Sequence, residues 1–161
     1  MRLERERDRL LIHYHLATAA DREAIAALLD SEGLPSSDLA TGGVALIAAT
    51  RSQGRLAGCI GIEPHGDAGI IRSLAVAPEY RGRGIARSLV SRAEALAWGR
   101  GVRRLDLRTE GAAGFWRNAG YAVVQRSKAP AAIQGSTEFA SLCSPSATCM
   151  ERPLSAPMAR S

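Results

Sequence analysis

The 161 residues suit one domain with a core that needs no disulfide or metal to hold it, and their formal charge of +5 is spread along the chain instead of being gathered in a tract. Aromatic residues make up only 4% and are not interleaved with the basic ones, which argues against a nucleic-acid partner. No apolar run has membrane-spanning length, Met1–Arg9 alternates charges with no apolar region behind it, and the three cysteines lack CxxC spacing, so a cytoplasmic chain with reduced thiols and no membrane partner is expected.

Residues 1–12 read as a charged extension, 13–154 as a single domain and 155–161 as a loose tail. A short strand is predicted at His13–Thr18. AADREAIAALLDSEGL then places Ile25, Leu28 and Leu29 on one helical stripe, stopped by Gly33 and Pro35. GLPSSDLA reads as a turn and a short helix. VALIAATR and RLAGCIGIE read as buried strands joined through Ser52, Gln53 and Gly54, and IIRSLAVAP as a fourth strand that Pro78 ends. Ile85, Leu89, Ala93 and Leu96 recur at helical spacing, with Arg87, Ser91, Arg92 and Glu94 outside, until Gly99 and Gly101. RRLDLRT predicts a strand, GAAGFWRNAG a short helix and YAVVQR another strand. Helical turns follow over Lys128–Cys143, with Pro130 at a first turn and Ser136 as a cap, and then a last strand in SATCMERPL. This order is that of an α/β fold with a mixed sheet.

Chemistry concentrates at VAPEYRGRGIARSLV, Val76–Val90. Arg81, Arg83 and Arg87 surround Gly82 and Gly84 where a helix begins. Glycines let backbone approach a ligand, successive N–H groups and the helix dipole attract an anion, and the arginines add charge. The pattern is neither GxGxxG nor a phosphate loop of nucleotide triphosphatases.

Arg81, Gly84 and Ala86 carry the [QR]-x-x-G-x-[GA] signature behind an apolar strand ending in Val76, Ala77 and Pro78, and in this the chain resembles the GCN5-related N-acetyltransferases from about His15 to Pro153. The resemblance implies a mixed, mostly antiparallel central sheet of about seven strands flanked by helices. It also implies acetyl-CoA as cosubstrate. The amides of Arg81, Gly82, Arg83, Gly84, Ile85, Ala86 and Arg87 would hold the pyrophosphate, Val76 would pair with pantetheine, and Leu74 N–H would face the thioester oxygen. Many relatives carry N-x-x-A-x-x-F-Y-x-x-x-G-[FY] after the fifth strand. This chain has Thr109, Ala112, Phe115, Trp116, Gly120 and Tyr121 in that register, so the tyrosine that often protonates the leaving thiolate is absent and Trp116 is expected to pack against the cofactor. A homodimer is common among such relatives, and nothing in these residues decides it.

Relatives acting on lysine often place a Glu on the fourth strand where Ile70 stands here. If Gly66–Asp67 is a two-residue turn, Glu63 faces Ile70, and Glu63 and Arg72 become diagonal neighbours on one face. Glu63 is then a candidate acceptor of the amine's proton and Arg72 a candidate clamp for a substrate carboxylate, with an internal ion pair as the other reading. A free α-amine is roughly a tenth neutral at cytoplasmic pH and a lysine about a thousandth, which favours a small α-amine where a strand-four carboxylate is missing. His65, at the turn, reads as a surface residue. GLPSSDL and Ala129–Cys149 are further similar to small acetyltransferases encoded with arsenic-resistance genes. That similarity implies a small amine acceptor, an organoarsenical or phosphinate amino-acid analogue among them, with Leu34 and Ser36 on the acceptor's loop. Cys143 and Cys149 have no third thiol near in sequence, and no metal is expected. A non-catalytic acyl-CoA-binding regulatory domain and a protein or peptide N-acetyltransferase are the alternatives.

Overall fold

Thr18 opens the first helix through a capping box: its Oγ1 accepts the Asp21 N–H at 3.3 Å, and Asp21 Oδ2 accepts the Thr18 N–H at 2.9 Å. The Thr18 N–H, ahead of the His15 ring, holds the Asp21 carboxyl below its ordinary range. The computed structural model describes residues 2–3, 11–136 and 146–157. Its elements are β1 (Ile12–Leu16), α1 (Ala19–Ser31), β2 (Ala45–Arg51), β3 (Leu56–His65), β4 (Ala68–Val76), α2 (Ile85–Gly99), β5 (Arg104–Thr109), α3 (Ala113–Asn118), β6 (Ala122–Val123), α4 (Ala131–Gln134) and β7 (Thr148–Pro153). The seven strands form one sheet in the order β1-β2-β3-β4-β5-β7-β6; β4 and β5 run parallel, and the rest is mostly antiparallel. This is the α/β architecture expected from the order of elements.

The chain's contacts group into two compact units, Met1–Gly61 with Ser73–Leu89, and Ile62–Arg72 with Val90–Ser161. In the first, Ile25 and Leu29 of α1 pack with Leu39, Val44, Leu46, Ala48, Cys59 and Ala75, and the predicted stripe residue Leu28 lies at the margin. Gly58 lets the start of α2 close on the sheet: a Cβ there would sit 2.8 Å from the Ala75 carbonyl and 3.3 Å from Leu89. Burial pushes the Cys59 thiol up to about 12, so it stays a protonated packing residue. In the second unit Ala68 and Ile70 of β4 pack with Ala129, Ile133 and Cys149.

Three expectations are corrected. YAVVQR does not make a six-residue strand: β6 is Ala122–Val123, Val124 N–H makes one more bond to Cys149 O at 2.9 Å while its side chain packs on the Ile70 cluster, and Arg126–Lys128 forms a single 3₁₀ turn. On α2 the buried stripe runs through Val90 and Ala97, leaving Leu96 half-buried. Glu94, expected outside, accepts from Arg152 Nη1 at 2.8 Å and from the Tyr121 hydroxyl at 3.2 Å. The segment after Ser136, which that residue was expected to cap, and most of the predicted N-terminal extension lie outside the described residues, as does Cys143.

Burial raises Glu94 above the ordinary carboxylate range despite Arg152. A carboxyl whose folded pKa exceeds its unfolded one favours the fold most below the unfolded value, and that advantage is lost as pH rises through the folded value. Glu94→Gln removes this titration. The melting temperature of the wild type minus that of the variant should therefore fall as pH rises from about 4 to about 7, in paired thermal melts.

Candidate active site

In the first unit, Pro78–Tyr80 forms a 3₁₀ turn after β4, and the chain then passes through Gly82 and Gly84 into α2. Both glycines have φ +78, a left-handed conformation that other residues adopt only with strain. A Cβ at either would meet no atom within 4 Å, so neither glycine is required by packing. Ser88 N–H donates to Gly84 O at 3.1 Å as the first helical bond, which leaves the amides of Ile85, Ala86 and Arg87 without an intrahelical acceptor. Glycines required for conformation and not for space, beside free helix-start amides, form a cradle for an anion.

The arginines of the turn are not equivalent. Arg81 bonds Glu32 Oε2 through Nη2 at 2.7 Å and the Val76 carbonyl through Nε at 3.1 Å. Its charge is thus largely answered within the protein, and its backbone lies on the cradle. Arg83 lies over the Tyr80 ring, 5.6 Å from the centroid, and Arg87 is exposed.

Ser73 is the one described non-glycine residue with positive φ, at +58. The two-residue turn Gly66–Asp67 sets His65 against Ala68, and counting on from there pairs Glu63 with Ile70. Ala77 N–H nevertheless donates to Ala57 O at 2.8 Å, one residue out of that count, so β4 holds a bulge with Ser73 as its extra residue. Because amide directions alternate along a strand, Ala77 and Ala75 face β3, and Leu74 and Val76 present their N–H groups away from it. The Val76 carbonyl, taken by Arg81, agrees with that direction.

In the second unit Glu63 lies between two basic side chains. Arg72 Nη1 is 3.5 Å from its Oε2, and His65 Nε2 is 3.2 Å from its Oε1 in an orientation that makes no hydrogen bond. The Arg72 side chain is 1% exposed and that of Glu63 15%. The diagonal juxtaposition read from strand register is therefore present in the structure. At 3.5 Å the pair is at the outer limit of a hydrogen bond, far from a closed bidentate fork. His65 is half-buried against this carboxylate and is not the plain surface residue expected. Arg108 of β5, also buried, stands opposite Cys149 of β7 and was given no role by the sequence.

Other expected site residues are engaged within their own units. Thr109 ends β5 opposite Thr148, and Ala112 is exposed at the start of α3. Trp116 is buried, edge-to-face with Phe115 at 5.2 Å and with Tyr121 at 5.1 Å. The Tyr121 phenol is held protonated, because burial and then the Glu94 charge push its pKa up. Leu34 packs on the first unit's core, and the Ser36 hydroxyl donates to Asp30, so both serve the fold of their loop. Among the described residues no three His, Cys, Asp or Glu side chains are placed to hold a metal ion, and no helix is long and apolar enough to cross a membrane. Glu32, Tyr80 and Ser73, which shape this region, had no part in the site as read from the sequence. Tyr80, inside the quoted PEYRGRG stretch, was the one signal available.

Among solved structures, an acetyltransferase of the GNAT family from Staphylococcus aureus Mu50 superposes with a TM-score of 0.74 at 14% identity, covering 90% of this chain and all of that one. N-acetylglutamate synthase from Neisseria gonorrhoeae, complexed with coenzyme A and N-acetyl-glutamate, gives 0.76 at 20% identity over 90% of this chain and 35% of its own. A Mycobacterium tuberculosis protein in complex with CoA gives 0.73 at 22% identity, over 88% of this chain and 99% of that one. At these identities the likeness is one of fold. No curated protein sequence matches the chain. The family profile described as acetyltransferase (GNAT) domain matches residues 42–123, from the start of the β2 region through the arginine–glycine turn to β6, and the chain belongs to the GNAT acetyltransferase family.

Proposed function

We propose that the protein transfers the acetyl group of acetyl-CoA to the α-amino group of a small amino acid or amino-acid analogue, an amino-phosphinate or amino-arsenical included. The observation that carries the acceptor class is the Glu63–Arg72 pair: a guanidinium whose side chain is 1% exposed, with its Nη1 3.5 Å from Glu63 Oε2. Burying an arginine is costly, and a site that does so is suited to a ligand carboxylate gripped through two parallel N–H donors.

Acetyl-CoA supplies the thioester. The cradle at Gly82–Arg87 suits its pyrophosphate, since both glycines hold left-handed backbone over open space. Val76 offers backbone to the pantetheine amide. Leu74 N–H, directed off the β3 ladder, donates to the carbonyl oxygen as negative charge gathers on it. The amine nitrogen forms its bond to the carbonyl carbon as the carbon–sulfur bond breaks. Glu63 takes the amine's proton directly or through a water, and the thiolate leaves without a tyrosine donor, because Trp116 stands in that register. Thr109, Ala112, Phe115 and Trp116 belong in this proposal to the wall beside the cosubstrate. Neither Leu34 nor Ser36 is required by it.

Glu63→Gln tests the proton acceptor. At about pH 7 the variant should lose at least tenfold in kcat with little change in the KM for acetyl-CoA. Much of that loss should be recovered near pH 9, where an α-amine deprotonates unaided. A loss independent of pH would make Glu63 a structural partner of Arg72.

A further inference from the structure

The connection between β2 and β3 holds a cavity of about 220 Å³ lined by Arg51, Ser52, Gln53 and Arg55. Every lining side chain is a hydrogen-bond donor, and none is acidic. Arg51 lies over the Tyr80 ring, 5.5 Å from the centroid, and its Nη1 donates to the Tyr80 hydroxyl at 3.2 Å. Its Nε is buried and makes no hydrogen bond. Tyr80 is itself 3% exposed, and Arg83 of the arginine–glycine turn lies 5.6 Å from the centroid of the same ring. One rigid aromatic ring therefore ties the cavity's arginine to an arginine of the anion cradle. Among the described residues no carboxylate pairs with Arg51, Arg55 or Arg83, whereas the neighbouring Arg81 has Glu32. A held Arg51 and an exposed Arg55 lining one polar cavity, with no carboxylate paired to either among the described residues, call for an external anion.

We propose that this cavity binds the 3′-phosphate of the coenzyme A ribose, with Arg51 and Arg55 as its ligands. The inference rests on the reading that acetyl-CoA occupies the cradle at Gly82–Arg87. Coenzyme A carries its third phosphate on the ribose that bears the pyrophosphate, one sugar ring away. Arg51 of the cavity and Arg83 of the turn flank one ring, 5.5 and 5.6 Å from the Tyr80 centroid, which makes the two sites neighbours. The phosphate monoester is a dianion near neutral pH, the charge state that a pair of guanidinia binds best. The protein would thereby select coenzyme A over cofactors lacking this phosphate.

The test is calorimetric titration of the full chain with coenzyme A, dephospho-coenzyme A and inorganic phosphate, on the wild type, Arg55→Gln and the Arg51→Gln/Arg55→Gln pair, each checked for melting temperature. The wild type should bind coenzyme A at least about tenfold more tightly than the dephospho form. Arg55→Gln should narrow that ratio, and the double variant should bring it near unity while dephospho-coenzyme A affinity holds. Equal wild-type affinity for both forms overturns the proposal. So does an equal weakening of both ligands in the variants, which makes the arginines structural. Phosphate binding lost in the double variant with the coenzyme ratio unchanged also overturns it, leaving a site for free phosphate only. No binding of either coenzyme form would instead remove the cosubstrate reading on which the inference stands.

Discussion

Gly84→Glu is expected to weaken acetyl-CoA binding by at least about tenfold, with the largest part in affinity and not in folding. Three effects act together. The residue must keep φ near +78, which strains any side-chain-bearing residue by about 1 kcal/mol. The new carboxylate stands at the helix start, where the amides of Ile85, Ala86 and Arg87 would otherwise meet the pyrophosphate, and it repels that anion directly. A Cβ there meets no atom within 4 Å beyond its chain neighbours. The third point gives the experiment its power: steric damage to the fold is small, so lost binding reports on the cradle. Gly84→Ala separates strain from charge and should cost severalfold less. Unchanged cosubstrate affinity in Gly84→Glu, measured by titration with a melting temperature close to wild type, removes the pyrophosphate assignment.

Arg72→Ala should raise the acceptor KM by about a hundredfold and leave that for acetyl-CoA within about threefold. Two charge-assisted hydrogen bonds to a carboxylate are worth more than 2 kcal/mol in a buried site, which sets the size of the effect. The variant also leaves Glu63 with His65 as its one remaining basic neighbour among the described residues, and an internal ion pair predicts a loss of stability instead. Pairing Arg72→Ala with Glu63→Gln decides between them. If the pair only completes the sheet, the second substitution relieves the first, and melting temperature and acceptor KM recover together. If Arg72 grips the acceptor, stability recovers and the KM does not.

The parts of this site legible in the sequence are those governed by short-range rules. Glycines flanked by arginines before a helical stripe announce an anion cradle because backbone freedom, helix dipole and charge all lie within one stretch of chain. The Glu63–Arg72 contact follows from a two-residue turn, since strand alternation fixes which side chains share a face once the turn is placed. Thr18 and Asp21 advertise the first helix by the same local logic. What could not be read depends on partners far apart in sequence. Arg81 looks like a ligand for phosphate until Glu32, from the end of α1, takes its guanidinium. Glu94 looks like a solvated helix position until Arg152 of β7 and Tyr121 close over it. The bulge is the sharpest case. Nothing in a serine between Arg72 and Leu74 announces φ +58, yet that residue turns the Leu74 and Val76 amides off the β3 ladder. YAVVQR misled for the opposite reason, as its strand-like composition runs on past Val123 while the chain passes into a 3₁₀ turn at Arg126–Lys128.

Acetyl transfer to an acceptor gripped by a buried arginine is tested by CoA release from acetyl-CoA across an acceptor panel. The panel holds free α-amino acids, amino-phosphinates and amino-arsenicals beside a lysine-bearing peptide. Turnover is expected with α-amines that carry an acidic group, loss of that turnover when the carboxylate is amidated, and little with the peptide. Preferred turnover of the peptide would make the acceptor a protein and Arg72 a structural residue. Silence across the panel, with coenzyme A still bound, would contradict the enzyme reading and leave an acyl-CoA-binding domain.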